Sequence, residues 1–149
     1  PGEGGDGGLF LAPSNRKMVK YRWLVNKCVV KVFSSHLEKA RRAYTRKLAA
    51  SLAQAVARLR EMPQVERVSV FGSYARGRRD LFTDLDILVV MRTEEPFPAR
   101  TARIYQVLAL PVDCDILCYT PEEMDSLRRK GFFKRIAREE IILYEKNRA

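Results

Sequence analysis

The 149-residue sequence predicts one folded domain of the α+β class, a mixed β-sheet with helices packed on it. Short apolar runs with the spacing of strands alternate along the chain with segments of helical spacing, and no segment repeats. Apolar residues make up 46% of the chain and charged residues 31%, which is typical of a globular protein. We expect a flexible glycine-rich tail over residues 1–15, a basic extension of uncertain structure over residues 16–36, and the folded domain over residues 37–149.

The segment that precedes the folded domain allows two structures. Apolar and polar residues alternate over residues 18–33, and Asn26-Lys27 could form the turn of a β-hairpin, while a helix fits the segment as well. From Leu37 to Met62 apolar residues recur every three or four positions, and Pro63 ends the run. This pattern predicts an amphipathic helix whose apolar face is formed by Ala40, Tyr44, Leu48, Leu52, Val56 and Leu59.

Four strands and three further helices are predicted after Pro63. Leu85–Met91 is apolar on both faces, which indicates a central strand that is covered on each side. Thr120-Pro121 begins a helix, with Thr120 as the N-cap and Glu123 placed for a capping box. The other predicted strands are Val65–Phe71, Val112–Tyr119 and Ile141–Tyr144, and the other predicted helices are Pro98–Leu110 and Phe132–Glu139.

Positive charge is concentrated in one part of the chain. The formal net charge is +10, and thirteen of the 28 Lys and Arg residues lie between residues 16 and 62, where only Glu38 and Glu61 are acidic. Such a segment favours a polyanionic partner, either a nucleic acid or an acidic protein surface. A solvated basic helix would show the same pattern.

Cysteine usage and hydropathy restrict the setting of the protein. Cys28, Cys114 and Cys118 include no Cys-x-x-Cys pair, so neither a disulfide framework nor a zinc knuckle is indicated. No apolar run approaches the 18 or more residues of a membrane helix. We therefore expect a cytoplasmic protein without a membrane partner, and the sequence leaves a homo-oligomer open.

Two aspartate pairs carry the first chemical signal. Asp84 and Asp86 enter an apolar strand on one face, where two like charges repel by about 2 to 3 kcal/mol at an effective dielectric constant near 20. A cation would relieve that repulsion, and oxygen ligands alone select Mg²⁺ or Mn²⁺. Two such ions need a third acid, for which Asp113 and Asp115 are candidates. A single Asp-x-Asp pair could equally cap a strand or a turn.

A glycine-containing turn before the first pair carries the second signal. Gly72 lets the backbone approach a phosphate closely, Ser73 offers a hydroxyl and an amide donor, and Arg76 offers a planar cation. Gly72 and Gly77 have the spacing of a phosphate-binding P-loop, but Arg78-Arg79 stands where that motif needs Lys followed by Ser or Thr. The P-loop interpretation is therefore rejected.

The turn and the acids together resemble a known family. Gly72-Ser73, Arg76-Gly77 and Thr83-Asp84-Leu85-Asp86 are similar to the signature of the DNA polymerase β-like nucleotidyltransferase superfamily. The similarity continues through Pro111–Ile116 and Tyr119–Glu123 to Ile141–Glu145, and there it resembles the minimal nucleotidyltransferase branch.

This resemblance implies a fold, a reaction and a set of site residues. Two Mg²⁺ (or Mn²⁺) ions would be held by Asp84, Asp86 and a third acid, Asp115, with Asp113 as the alternative. Gly72, Ser73 and Arg76 would bind the phosphates of a nucleoside triphosphate (NTP), ATP above all. The enzyme would move a nucleoside monophosphate to a hydroxyl with release of pyrophosphate.

The acceptor implied by the branch is a small helical partner protein of the HEPN type, with this chain in the antitoxin role. Two alternatives stay open. The acceptor could be a small molecule, as in aminoglycoside nucleotidyltransferases. The chain could also be a non-catalytic module that binds RNA or protein through its basic segment.

Overall fold

The computed structural model describes residues 16–147, with side chains described from residue 27 onward. The predicted tail over residues 1–15 lies outside the described residues. The chain divides into two units, Pro1–Lys39 and Ala40–Ala149. No helix within the described residues is long and apolar enough to cross a membrane.

Helix α1 spans Arg16–Arg60 and supplies all of the described structure of the first unit. Of the two structures that the sequence allowed for residues 18–33, the helix is therefore present and the hairpin is not. Asn26-Lys27 is weak turn chemistry for a hairpin, which agrees with this outcome.

The C-terminal part of α1 packs in the core of the second unit. Leu48, Leu52, Ala55 and Leu59 are 0–7% exposed. They recur at three- and four-residue spacing, which confirms the amphipathic helix. Of the predicted apolar face, Leu48, Leu52 and Leu59 are buried, Tyr44 and Val56 are partly buried and Ala40 is exposed, while the buried Ala55 was not predicted. The helix ends at Arg60, close to the predicted stop at Pro63.

The second unit contains a four-stranded mixed sheet of order β3-β2-β1-β4. Strand β1 runs antiparallel to both of its neighbours, β2 and β4, whereas β2 and β3 are parallel. The predicted α+β class and mixed sheet are confirmed. The strands are β1 (Val65–Phe71), β2 (Leu85–Met91), β3 (Cys114–Tyr119) and β4 (Ile141–Glu145), and the further helices are α2 (Gly72–Ala75), α3 (Phe97–Leu108), α4 (Pro121–Leu127) and α5 (Gly131–Glu139).

Helices cover both faces of the central strand β2. Ile87 and Val89 point into the core that includes side chains of α1 and α3, while Leu88 and Val90 pack with Met124 of α4 and residues of α5. All four side chains are almost fully buried. The two-sided burial predicted from the apolar run is therefore confirmed, and any polar residue on this strand must lie at its end.

Two local details differ from or refine the sequence prediction. Strand β3 begins at Cys114 rather than Val112, because Ala109 takes a left-handed conformation (φ 40°) that ends α3 and a bend follows. The capping box of α4 is present: the Glu123 amide N–H donates to Thr120 Oγ1 (3.2 Å), and the Thr120 N–H donates to the Glu123 carboxylate (2.9 Å).

Arg100 of α3 is a buried cation that connects α3, β3 and α4. Its side chain is 3% exposed, donates to the Cys118 carbonyl (3.0 Å) and forms an ion pair with Glu123. Replacing it with Met should lower the free energy of unfolding by about 2 to 4 kcal/mol, because buried acceptors lose their donor. Urea unfolding measures this change.

Arg103 on the same helix is the matched control for Arg100. It pairs with Glu95 (3.1 Å), but its side chain is 35% exposed. Because water screens that pair, Arg103→Met should cost less than about 1 kcal/mol. Equal losses for the two variants would contradict a structural role for the buried guanidinium.

Candidate active site

Two aspartates lie side by side where β2 and β3 begin. Asp86 is the second residue of β2 and Asp115 the second residue of β3, and the two are paired in the parallel register of these strands. Neighbouring strands are about 4.8 Å apart, and paired residues of parallel strands point to the same face. The fold thus brings together two of the acids that the sequence singled out.

The other two candidate acids lie just outside the strands. Asp84 is exposed and precedes β2, two residues before Asp86, and its charge acts on that carboxyl. Asp113 is also exposed and precedes β3, and its carbonyl accepts a hydrogen bond from the Leu85 N–H (3.1 Å). Its backbone thereby fixes the position of β3 against β2.

Tyr44 of α1 lies near these two outer acids. Burial raises the pKa of its hydroxyl, and the charges of Asp84 and Asp113 raise it further. The hydroxyl donates to the Thr83 carbonyl (3.0 Å) and so supports the backbone directly before Asp84. Tyr44 therefore helps to fix the backbone that carries Asp84.

Asp86 lies close enough to the neighbouring carboxylates for their charges to affect its ionisation. Burial raises the pKa of Asp86 above its usual range, and the charges of Asp115 and Asp84 raise it further, against the opposing effect of Arg76. A cation at this point would reverse that effect, and a donor set made only of oxygens suits Mg²⁺ or Mn²⁺. In donor chemistry these residues fit the implied metal.

The same acids are not gathered into a closed cluster. Among the residues that the structure describes, no group of three His, Cys, Asp or Glu side chains could hold a metal ion as placed. Two of the three predicted ligands, Asp86 and Asp115, line the cavity described below, and Asp84 does not.

The glycine-containing turn after β1 begins as a short helix, α2. Gly72 begins α2 with φ +67°, in the left-handed region, and its carbonyl accepts from the Arg76 N–H (3.1 Å). A Cβ atom at Gly72 would collide with the carboxylate of Asp86. The glycine is therefore required twice, for its conformation and for the contact of backbone with the acid.

The three arginines of this turn have different roles. Arg79 lies over the Tyr74 ring (3.5 Å from its guanidinium carbon to the ring centroid) and donates to the Tyr74 carbonyl (2.6 Å). Arg78 pairs with Asp80 (2.5 Å). Arg79 and Arg78 thus brace the turn, and of the three only Arg76 lines the cavity.

An open cavity of about 790 Å³ lies between the turn and the acids. Its volume is in the range of small-molecule sites, about 300 to 1,000 Å³. Predicted site residues make up one side of it, and α5 contributes much of the other. The lining residues that bear on its chemistry are Gly72, Ser73, Arg76, Asp86, Asp115 and Glu139.

Glu139 is a site residue that the sequence analysis missed. It is the last residue of α5, and its carboxylate accepts from the Gly72 N–H (3.2 Å) and from the Arg76 guanidinium (2.8 Å). These donors hold the pKa of Glu139 below its usual range, the Arg76 hydrogen bond having the largest effect. In the sequence, Glu139 is one charged residue of Arg138-Glu139-Glu140, and only the packing of α5 on the turn distinguishes it.

The arrangement joins an anion-binding turn to a pair of acids across a cavity of nucleotide size. Such an arrangement has the donors that a phosphate ester requires. The chain matches the family model of the nucleotidyltransferase domain over residues 52–146. The protein belongs to this nucleotidyltransferase family, so the predicted superfamily and enzyme class are confirmed.

Several solved structures are similar to this chain. A protein from Sulfolobus solfataricus, described as a nucleotidyltransferase, is 17% identical with a TM-score of 0.47, over 74% of this chain and 87% of that chain. A toxin–antitoxin complex with AMP-PNP is 23% identical with a TM-score of 0.47, over 64% and 73% of the two chains. A complex of a tri-AMPylated Shewanella oneidensis HEPN toxin with an MNT antitoxin is 21% identical with a TM-score of 0.44, over 66% and 73%. No curated protein matches the chain.

Proposed function

We propose that this protein is a Mg²⁺-dependent nucleotidyltransferase of the minimal branch, which moves AMP from ATP to a hydroxyl of a HEPN-type partner protein. The observation that carries this proposal is the parallel pairing of Asp86 with Asp115 beside the Gly72-Ser73 turn. The two acids lie on adjacent strands and face a cavity that the anion-binding turn borders. Transfer of a nucleoside monophosphate requires such a combination of acids and phosphate-binding groups.

Each site residue has a distinct task in the proposed reaction. The backbone of Gly72, the Ser73 backbone and hydroxyl, and the Arg76 guanidinium bind the β- and γ-phosphates. Asp84, Asp86 and Asp115 would hold two divalent ions, which when bound lower the pKa of the acceptor hydroxyl and neutralise charge on the phosphates. The acids thereby orient the α-phosphate toward the acceptor.

The bond changes follow from the groups present. The acceptor oxygen forms a bond to the α-phosphorus, and the bond from that phosphorus to the β-phosphate oxygen breaks. Pyrophosphate leaves, and a site carboxylate takes the hydroxyl proton. The chain itself mainly positions the reactants, as is general for phosphoryl transfer.

A protein acceptor fits the distribution of charge in the chain. The segment over residues 63–149 has fifteen Lys and Arg residues against fourteen acids, a charge of +1, whereas residues 16–62 carry +11. A strongly basic segment would repel a cationic aminoglycoside and would attract an acidic protein surface. A nucleic acid remains the second candidate for the basic segment.

The test is a transfer assay with each labelled NTP and Mg²⁺, with a HEPN-type protein, an aminoglycoside or no acceptor present. We expect label on the HEPN protein together with equimolar pyrophosphate. Label on the aminoglycoside alone would show that the proposed acceptor is wrong and that the proposed reaction is right. Absence of NTP binding and of pyrophosphate release, with RNA bound in a salt-dependent manner, would favour the non-catalytic alternative.

Asp113 and Asp115 provide a matched pair for identifying the third acid. Asp115→Asn should lower the transfer rate by about 100-fold or more, because a carboxylate facing the cavity is lost. Asp113→Asn should change the rate less than about threefold, because the backbone carbonyl of residue 113 still accepts the hydrogen bond from the Leu85 N–H. Steady-state rates at saturating NTP measure both variants, and the reverse order would make Asp113 the third acid.

A further inference from the structure

The groups proposed to bind phosphate are already engaged by a carboxylate of the chain itself. Glu139 Oε1 accepts from the Gly72 N–H (3.2 Å), and Oε2 accepts from the Arg76 guanidinium (2.8 Å). A backbone N–H at a turn together with a guanidinium is the donor set that recognises a phosphate oxygen. In charge and in its acceptor atoms, the Glu139 carboxylate therefore imitates part of a phosphate.

A triphosphate and Glu139 would compete for the Gly72 N–H, whereas the Arg76 guanidinium has further N–H groups and could contact both. Both are negative, both lie in the same cavity, and the Gly72 N–H is a single donor. The side chains of Glu139 and Arg76 are 16% and 56% exposed, so water screens their ion pair in part, and the like charges of Glu139 and a neighbouring phosphate still repel. Phosphate binding must therefore move the carboxylate away from the Gly72 N–H.

The structure also offers Glu139 an alternative partner. Arg135 lies four residues earlier on α5, which places its side chain on the same face of the helix, and it lines the same cavity. A change of side-chain rotamer would take the carboxylate from Arg76 toward Arg135 without any movement of the backbone. The displaced charge would then stay compensated.

We propose that Glu139 is an internal competitor for the phosphate subsite, bound to Gly72 and Arg76 in the free protein and displaced toward Arg135 when a nucleotide binds. This inference rests on the proposed nucleotide site. It assigns a role to Glu139 that the transfer reaction itself does not need. The competition raises the nucleotide concentration at which the site fills, and it keeps Arg76 paired when no nucleotide is present.

The test is calorimetric titration of the full chain with AMP-PNP and Mg²⁺. Glu139→Gln and Glu139→Ala should both lower the dissociation constant about 3- to 10-fold, which is the effect expected for losing a part-exposed ion pair and one hydrogen bond as competitors. In the transfer assay the KM for ATP should fall while kcat stays unchanged.

Glu140→Gln is the matched control. Glu140 is the next residue, but its carboxylate accepts from Ser69 Oγ (2.6 Å) and pairs with Arg67 (3.5 Å), both on β1 rather than on the turn. Its affinity for AMP-PNP should equal that of the wild type. Thermal unfolding of all variants shows whether each is folded.

The outcomes separate this inference from the proposed function. If the wild type and both Glu139 variants bind AMP-PNP with equal affinity, Glu139 does not compete with the nucleotide. If both variants bind it more weakly, Glu139 holds Arg76 in position for the substrate. Either result shows that the competitor role is wrong. If only the Glu139 variants bind, the competition is stronger than expected and the inference holds. If neither the wild type nor any variant binds AMP-PNP or pyrophosphate, the proposed function fails together with it.

Discussion

Asp86→Asn is expected to abolish transfer while leaving the protein folded. The variant keeps the size of the side chain but removes the charge that faces Asp115 across the parallel pair. Loss of a carboxylate that compensates a bound divalent ion should raise the barrier by about 4 kcal/mol or more, which is a rate decrease of about 1,000-fold. Steady-state pyrophosphate release with ATP and Mg²⁺ measures the decrease.

The same variant should not be less stable than the wild type. Burial and the charges of Asp115 and Asp84 raise the pKa of Asp86, so its ionised form disfavours folding at neutral pH. Asparagine removes that unfavourable charge, and the unfolding midpoint should stay equal or rise. A rate within tenfold of the wild type would disprove the assignment of Asp86 as a ligand, and a lower midpoint would assign it a structural role.

Gly72→Ala is expected to lower both the transfer rate and the stability of the protein. Its φ of +67° costs an alanine about 1 to 2 kcal/mol, and the added Cβ would also collide with the Asp86 carboxylate. Either the turn or the aspartate must move, and a displacement of about 1 Å in such a site can cost about 100-fold in rate. Transfer assays and urea unfolding together measure the two consequences.

Gly77→Ala separates the backbone cost from the collision. Gly77 also has a positive φ (+93°), but a Cβ atom there would meet nothing within 4 Å. Gly77→Ala should lower the free energy of unfolding by at least as much as the backbone strain costs in Gly72→Ala. Most of the transfer rate should be retained. Equal loss of activity in the two variants would mean that the turn conformation matters and the contact with Asp86 does not.

Local signals made much of this fold predictable from the sequence. Strand β1 ends where Gly72 follows Phe71, the apolar run of β2 begins directly after Asp84, and the start of α4 follows from the capping box of Thr120. The segment over residues 16–36 was not decidable, because its alternating apolar residues satisfy a strand pattern and its straight-chain residues satisfy a helix. In the structure it is helical.

The candidate site was predictable where its residues share a short motif. Gly72, Ser73 and Asp86 lie within one stretch of sequence, so their proximity needed only one strand and one turn. Glu139 depends on how α5 packs against the turn, from 67 residues away along the chain. No periodicity or spacing encodes that contact, which is why a structure was needed to find it.

The parallel register of β2 and β3 determines both the packing of the hydrophobic core and the position of the two acids. Side chains alternate along β3, so the register that buries Ile116 and Cys118 also puts Asp115 beside Asp86. A slip of one residue would turn both apolar side chains outward and remove the acid from its partner at once. A form of the protein with β3 shifted by one residue would therefore lose part of its core and its pair of acids together.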